Sequence, residues 1–555
     1  MTRINIGLIV DDLTSSKMNY DFIKRSLIAE NYKVTHLIIQ KLNTTDYYAF
    51  KATLPNLMEH GIKFLITEVS FNILNKLERL FFKKLSKFEK FFDNFDLEPF
   101  SLNTIEVFPL PSKCGSALHY SQQDIEKIKA ANLDLLVGGT EAILNGQILN
   151  ACKNGIIKVH LGGIEKYNSG QAGFWEVANK KKITDFSIQR CTENAGAGEI
   201  LFEGSIATSF MWTLNFVNLS EKANPFLNFV IEDIASGNSK LQVKEKTLYT
   251  SPVKATPSVG AQFLYIFATL RFVTIKIIRK ISGKAFRWGV AYQFVDNWRD
   301  VDLSQSKRIP NPPNRFLADP FIIKKNGYHF CFVEDYVYKK KRGHISVYKL
   351  TEQTCEEIGI ALQENFHLSY PFLFEHAGEI FMCPETHEVR EIRLYRCIDF
   401  PLKWELHIVL MSDISAADTT IHYRNNKWWL MTNICSSDLG DHQSELHIFS
   451  SNKLFSKEWI PHPQNPIFFN PLKARNGGFI ANKNGVFRVF QKHGFSQYGE
   501  ALGVAKIEVL DQFQYAENLE LTVTADFFPN LYGTHTYNFC DGLLALDYLE
   551  IDKKK

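Results

Sequence analysis

The sequence has no cysteine pair two residues apart, almost no net charge, and no long apolar run free of ionisable residues. Its nine cysteines are scattered among 555 residues, at positions 114, 152, 191, 331, 355, 383, 397, 435 and 540. Without a C-x-x-C pair neither a zinc ribbon nor a disulfide framework is expected, so the thiols read as reduced, the compartment as cytoplasmic, and no metal site is assigned. A net charge of +3 is too small to draw the chain to a phosphate backbone, so no nucleic-acid partner is expected. The longest apolar stretch, Phe263 to Ile281, is interrupted by Arg271 and Lys276, which argues against a spanning helix. Two readings stay open for it. It is either a helix docked between domains, or an amphipathic helix whose Arg271, Lys276, Arg279 and Lys280 lie on an anionic membrane surface, which would put the protein at the inner face of the membrane. Ile4–Val10 is short and closed by Asp11 and Asp12, and reads as a first β-strand instead of a signal peptide.

What is present is an ordinary globular composition, 45% hydrophobic and 22% charged, on a chain too long for one core. Aromatics are high at 13%, with 45 phenylalanines. The first 250 residues alternate strand-like and helix-like segments. Ile4–Val10, a helix around Tyr20–Glu30 and the strand Lys33–Gln40 come first. An amphipathic helix over Asn75–Phe95, a strand at Thr104–Phe108 and a helix at Gln122–Ala130 then lead to a buried strand, Leu133–Val137, that ends at Gly138-Gly139. This alternation predicts an α/β doubly wound sheet with its cleft at the carboxyl ends of the strands, near Gly138–Glu141. The expected domains are residues 1–245, a linker with a basic helix over 246–300, and an all-β half over 301–555.

In that second half five hairpins recur in phase. They begin at Asp319, Tyr370, Asp418, Gly477 and Thr534 and turn at Gly327, Gly378, Asn426, Gly485 and Gly542, spaced by 48 to 59 residues. Gly or Asn at such a turn supplies the positive φ that a two-residue loop needs. Hairpins at that period predict a five-bladed β-propeller. The residues eight positions before each turn would ring one end of the central channel, bringing Asp319 and Asp418 to a funnel with Tyr370, Thr534 and His535. Glu334 and Glu385 share a second phase, and Arg475 precedes the fourth repeat. A bland role, Asp319 and Asp418 simply holding turns, is equally open.

The stretches FLADPF (316–321), YPFLFEHAGEIFMCPET (370–386), EIRLYR (391–396), DFPLKWEL (399–406), AADTTIHYRNNKWWLMT (416–432), ELHIF (445–449) and YGEAL (498–502) resemble the N-terminal domain of glucosamine inositolphosphorylceramide transferases. More distantly the half resembles five-bladed glycoside hydrolases of the arabinanase and xylosidase type. That likeness implies an Asp base at Asp319, a second Asp at Asp418 and a Glu acid in the fourth blade. The fourth-blade segment Ala474–Gly478 has no carboxylate, so hydrolysis would need Glu385 or Glu445 to substitute. Sugar binding or a scaffold role is the expectation.

Leu133–Gly204 resembles the formyltransferase fold of methionyl-tRNA, glycinamide-ribonucleotide and sugar-nucleotide formyltransferases. GIIKVHLG stands for the strand with Asn-x-His, YNSGQAGFWEV for the loop and helix after it, and ENAGAGEIL for the segment with the catalytic Asp; a helix is expected from about Ile143. The resemblance implies 10-formyltetrahydrofolate as cofactor and three catalytic groups. His160 is retained, the Asn position is Lys158, and the Asp position falls on Gly196. Lys158 is assigned as a cationic donor, with Glu193 or Glu199 displaced into the acid role, although Glu199 is read as pointing into solvent. Gly138, Gly139, Gly162, Gly163, Tyr167, Asn168 and Gln171 are assigned to substrate, because glycine loops suit close approach of a phosphate or sugar. Together the halves predict a group-transferring enzyme that acts on an amino-sugar or glycan intermediate of surface polysaccharide or glycolipid, with a nucleotide-sugar or glycan as its substrate. The opposing expectation is a non-catalytic glycan-binding protein.

Overall fold

A computed structural model of the chain describes residues 3–41, 54–83, 89–111, 117–140, 143–162, 171–193, 198–237 and 256–553. It divides into two compact units, Met1–Arg271 and Phe272–Lys555.

The first unit is built on a seven-stranded sheet. Across it lie Glu199–Ala207, Ile183–Arg190, Ile156–Leu161, Leu135–Gly138, Ile4–Val10, Tyr32–Gln40 and Asn103–Val107. The last five are mutually parallel, and the first two are antiparallel additions at one edge. Parallel strands covered on both faces need apolar side chains on both, and Ile6, Leu8, Ile9 and Val10 are all buried. Taken in chain order the five parallel strands occupy positions 3-2-1-4-5, so the winding reverses between Ile4–Val10 and Leu135–Gly138, where Leu8 faces Val137. A reversal of that kind opens a crevice at the carboxyl ends of the two strands. Local sequence sets the flanking helices. Ser16 caps Lys17–Ser26 by accepting from the Asn19 N–H at 3.4 Å, and Ser121 caps Gln122–Ala130 by accepting from the Asp124 N–H at 3.1 Å.

Several expected elements shift. The helix placed at Asn75–Phe95 runs over Leu54–Lys83, and Phe95–Asp96 pairs instead with Thr14–Ser15. Near Ile143 stands a short strand, Ile143–Asn145, followed by a 3-10 turn. Asn145 accounts for this, since its carboxamide oxygen accepts from the Gly146 N–H and closes the turn locally.

The second unit is a five-bladed propeller. Blades one, two and four are the four-stranded sheets that begin at Arg315, Ser369 and Asn476, and blade three, from Ala416, adds a short fifth strand, Phe468–Phe469. The fifth mixes both ends of the unit. Lys284–Phe294 pairs along its whole length with Leu543–Lys553, and Lys307–Ile309 and Tyr537–Cys540 flank them. The propeller therefore starts at Lys284, and not at 301, because its first strand closes the ring against its last. Closure removes the open edge between first and last blades.

Four of the five turns use the expected chemistry, and the fourth-blade turn differs in register and in its residues. Asn326-Gly327, Ala377-Gly378, Asn425-Asn426 and Asp541-Gly542 all have positive φ at both residues, as a type I′ hairpin requires. In the fourth blade Asn482 pairs with Gly485, so the turn is Lys483-Asn484 and Gly485 already belongs to the second strand. Counted from the true turn, Asn476 takes the place given to Gly477.

Candidate functional site

In the propeller a kink recurs where the phase argument placed the funnel. The innermost strand of each of the first four blades slips register there, between Ala318 and Phe321, Ser369 and Phe372, Ala417 and Thr420, and Asn476 and Gly478. Asp319, Tyr370 and Asp418 hold positive φ of 50°, 47° and 49°. Such a conformation costs a non-glycine residue on the order of 1–3 kcal/mol, and strained residues of this kind gather at functional sites. The fourth blade needs no Cβ here. A Cβ on Gly477 would stand 2.2 Å from the carbonyl oxygen of His535.

Two charged clusters occupy this end. In the first, His535 lies between two buried carboxylates, with Nε2 3.2 Å from Asp319 and Nδ1 2.7 Å from Asp547. Asp319 also accepts from the Thr536 hydroxyl at 2.8 Å and the Tyr370 N–H at 3.2 Å. Burial alone would lower the His535 pKa, but the two aspartates overcome it and hold the imidazolium up to about 10. Burial likewise opposes ionisation of Asp319, yet His535 and Thr536 leave its carboxyl below the ordinary value. Ligand atoms of Asp319, His535 and Asp547 lie within 4.8 Å of one another, a spacing that a cation could use. In this structure the His535 imidazole, set between the two carboxylates, answers their charge.

In the second cluster Arg475 Nε donates to Asp418 at 2.7 Å, and its Nη2 lies 3.4 Å from Glu385. Gln491 also donates to Asp418, at 3.1 Å. Burial pushes the Asp418 carboxyl up and Arg475 works against it, while the two acids keep the guanidinium charged. Glu385 resists its burial because His387, 2.7 Å away, and Arg475 draw its carboxyl well below the usual range. Glu334 is the opposite case. Burial, then Asp319 and Glu385, push it well above that range, and the burial of His367, 3.6 Å away, keeps that imidazole low as well. The two glutamates are thus shifted in opposite directions, Glu334 up by its burial and Glu385 down by His387 and Arg475. Trp288 and Tyr498 wall the cluster, their ring centroids 4.1 and 5.2 Å from that of His535, and Arg475 lies 5.2 Å from the centroid of Tyr498. Aromatic plates with a few fixed polar groups are the usual lining of a small-ligand site.

All six expected funnel residues, Asp319, Tyr370, Glu385, Asp418, Arg475 and His535, therefore meet here. Sequence reasoning missed Asp547, Tyr498 and Trp288. Asp547 could have been suspected as a lone acid inside the apolar strand LLALDYLEI. Trp288 could not, since it lies on the closing strand.

In the first unit Lys158 and His160 project from one face of Ile156–Leu161, two residues apart. Lys158 is buried; its stem fills the space a Cβ on Gly138 would take, and it works against the burial that raises the Cys191 thiol. Gly139 donates to the Ile9 carbonyl at 3.0 Å and accepts from Asn19 at 2.9 Å, so a side chain there would strike backbone. Gly162 donates to the Asp185 carbonyl at 2.8 Å and has φ of +93°, and Gln171 opens the turn into the helix Phe174–Ala178. Gly163, Tyr167, Asn168 and Gly196 lie outside the described residues. Beside the winding reversal, and unforeseen, Gln40 donates to Asp11 at 3.2 Å and to Thr140 at 3.4 Å, and Tyr120 donates to Gln40. Burial, with Asp11 and Asp124 adding, pushes the Tyr120 hydroxyl up, so it stays a donor.

Glu193 does not join them. Ile183–Arg190 runs antiparallel to Ile156–Leu161, with Arg190 opposite Ile157, so Glu193 leaves exposed at the end of the sheet opposite His160. Glu199 is at that same end, 2.7 Å from Arg190. Neither glutamate can take the acid role.

Site and fold define a propeller with a charged, aromatic-walled funnel, and a separate parallel sheet with a Lys–His face. The family model "Glucosamine inositolphosphorylceramide transferase 1, N-terminal" matches residues 288–538, which is the propeller. Glucosamine inositolphosphorylceramide transferase 1 of Arabidopsis thaliana is 36% identical over 210 residues, covering 37% of this chain and 27% of its own length. The protein of the same name from Oryza sativa subsp. japonica is 36% identical over 209 residues, with 37% and 28% covered. The chain thus spans about a quarter of the length of these curated relatives. Among solved structures, glycinamide ribonucleotide transformylase 1 from Symbiobacterium toebii aligns at 13% identity and a TM-score of 0.29 over 44% of this chain and 95% of that one. The α-L-arabinanase of Cellvibrio cellulosa complexed with arabinohexaose aligns at 13% identity and 0.29 over 37% and 77%.

Proposed function

We propose that this chain is a transferase that modifies an amino-sugar-bearing glycan or glycolipid intermediate, the Lys158–His160 face of the first unit carrying the group transfer and the propeller funnel being a glycan-binding site of its own. The observations that carry the reading are the family match over residues 288–538 and the 36% identity to proteins named glucosamine inositolphosphorylceramide transferase 1. The funnel adds an acidic, aromatic-walled site suited to hydroxyl-rich ligands. In the first unit the winding reversal puts donors at the carboxyl edge of a parallel sheet, where ligands of such sheets bind.

The formyltransferase-like reading of that unit implies 10-formyltetrahydrofolate, and the donor set fits it poorly. Lys158 replaces the amide that would hold a neutral formyl oxygen, and an ammonium is a point charge suited to an anion. Lys158 and His160 together suit the diphosphate of a nucleotide-sugar, Lys158 neutralising an oxygen and His160 donating to the oxygen that gains charge in transfer. No step is assigned to the folate.

Thermal shift with UDP-N-acetylglucosamine, with 10-formyltetrahydrofolate and with a glucosamine oligosaccharide separates the options. Stabilisation by the nucleotide-sugar, lost in His160→Ala with an unchanged circular-dichroism spectrum, is the expected result. Response to the oligosaccharide alone would overturn the transferase reading in favour of a binding protein, which Arg475 supports by occupying Asp418. Stabilisation by the folate would restore formyl transfer.

A further inference from the structure

Two long helices of the chain present apolar stripes to solvent. On Leu54–Lys83 the stripe is Ile66, Val69, Ile73, Leu77 and Leu80, at offsets that return to one helical face, and each is more than half exposed. On Val259–Ile281 it is Phe263, Phe267, Leu270, Ile277 and Ile281, again each more than half exposed. Exposed apolar stripes of that length are uncommon on water-facing surfaces and mark something that covers them.

The helices are fastened to each other by polar contacts. Gln262 donates to the Thr67 carbonyl at 3.0 Å, and the Tyr265 hydroxyl donates to Glu78. Glu78, itself buried, also accepts from the N–H and hydroxyl of Thr213 at 3.0 and 2.6 Å. Glu68 accepts from Thr256. These contacts turn Glu68 and Glu78 toward protein partners. Val259–Ile281 has no acidic residue at all and carries Arg271, Lys276, Arg279 and Lys280.

We infer that these helices lie on an anionic lipid bilayer, their stripes dipping into the acyl boundary while Arg271, Lys276 and Lys280 meet the head groups. Charge decides against a second copy of the chain as the cover. A two-fold pair would set the basic helix against its own image, with no acid on that helix to answer it. An anionic bilayer answers it directly, since its surface potential attracts basic residues that lie close to it. The helix is long and apolar enough to cross a membrane by composition, but Gln262 and Tyr265, turned into protein hydrogen bonds, tie it along a neighbour in the manner of a helix that lies flat.

Flotation of the full chain with phosphatidylcholine vesicles, and with the same vesicles containing phosphatidylserine, tests this. The chain should float with the phosphatidylserine vesicles, and high salt should reduce the bound fraction. Phe263→Ser with Phe267→Ser, and separately Ile73→Ser with Leu77→Ser, should each lower partitioning about tenfold or more. All four positions are exposed, so the circular-dichroism spectrum should not change. Arg271→Glu with Lys280→Glu should abolish the preference for phosphatidylserine. Failure to float with either vesicle would overturn the inference, as would a soluble dimer that the serine variants convert to monomer, or loss of floating with only the Phe263 and Phe267 pair. Vesicle binding is read without any substrate, so its failure is distinct from failure of the proposed transfer.

Discussion

Arg475 reaches Asp418 at 2.7 Å and Glu385 at 3.4 Å, joining blade four to the acids of blades three and two. The guanidinium makes ion-pair partners of the two carboxylates.

Arg475→Met should therefore leave buried Asp418 without its guanidinium partner and Glu385 with His387 alone. Removal of one partner from a buried pair costs about 3–5 kcal/mol. Urea unfolding at neutral pH should show a loss of that size. The loss should shrink in mild acid, where the carboxyls can take up protons.

His535 makes stability fall in alkali. Its pKa is raised to about 10 from 6.5, so its contribution is fully present below about 6.5 and is lost as pH rises toward 10. The urea midpoint of the wild-type chain should decline across that window. His535→Gln should be less stable at pH 6 and should lose most of that slope.

Gly477→Ala would place a methyl 2.2 Å from the His535 carbonyl, a contact that backbone cannot yield to cheaply. The expected cost is about 1–3 kcal/mol of overpacking, read as a lower unfolding temperature. Gly485→Ala, just past the turn, meets its nearest atom, on a lysine side chain, at 3.4 Å. Its cost should come from a φ of +135° and not from a clash.

Gly138→Ala should displace Lys158 and not unfold the sheet. The new methyl would meet the flexible Lys158 stem at 2.6 Å. The spectrum and the unfolding temperature should stay close to wild type, while any thermal shift produced by UDP-N-acetylglucosamine should be lost.

How much could be read in advance follows the range of the interactions. The hairpins were legible because a two-residue turn and its flanking strands are neighbours in sequence. The one misreading, at Gly485, arose because a glycine beside the turn looks like the turn glycine. The parallel strands were legible as short apolar runs, whereas the helix from Leu54 was not, since its apolar stripe faces solvent. Glu193 was misplaced because sequence spacing carries no strand direction, and one antiparallel strand sends it to the wrong end.

The sequence by itself determined the local units: four of the five turns, the apolar strands, the capped helices and the residues that recur in phase. Only the tertiary structure decided which of them meet. Lys284–Phe294 pairs with Leu543–Lys553 from the far end of the chain, Asp547 joins Asp319 through His535, and Gln40 joins Asp11 and Thr140. Those contacts depend on ring closure and strand order, which are long-range properties, and no local pattern of side chains encodes them.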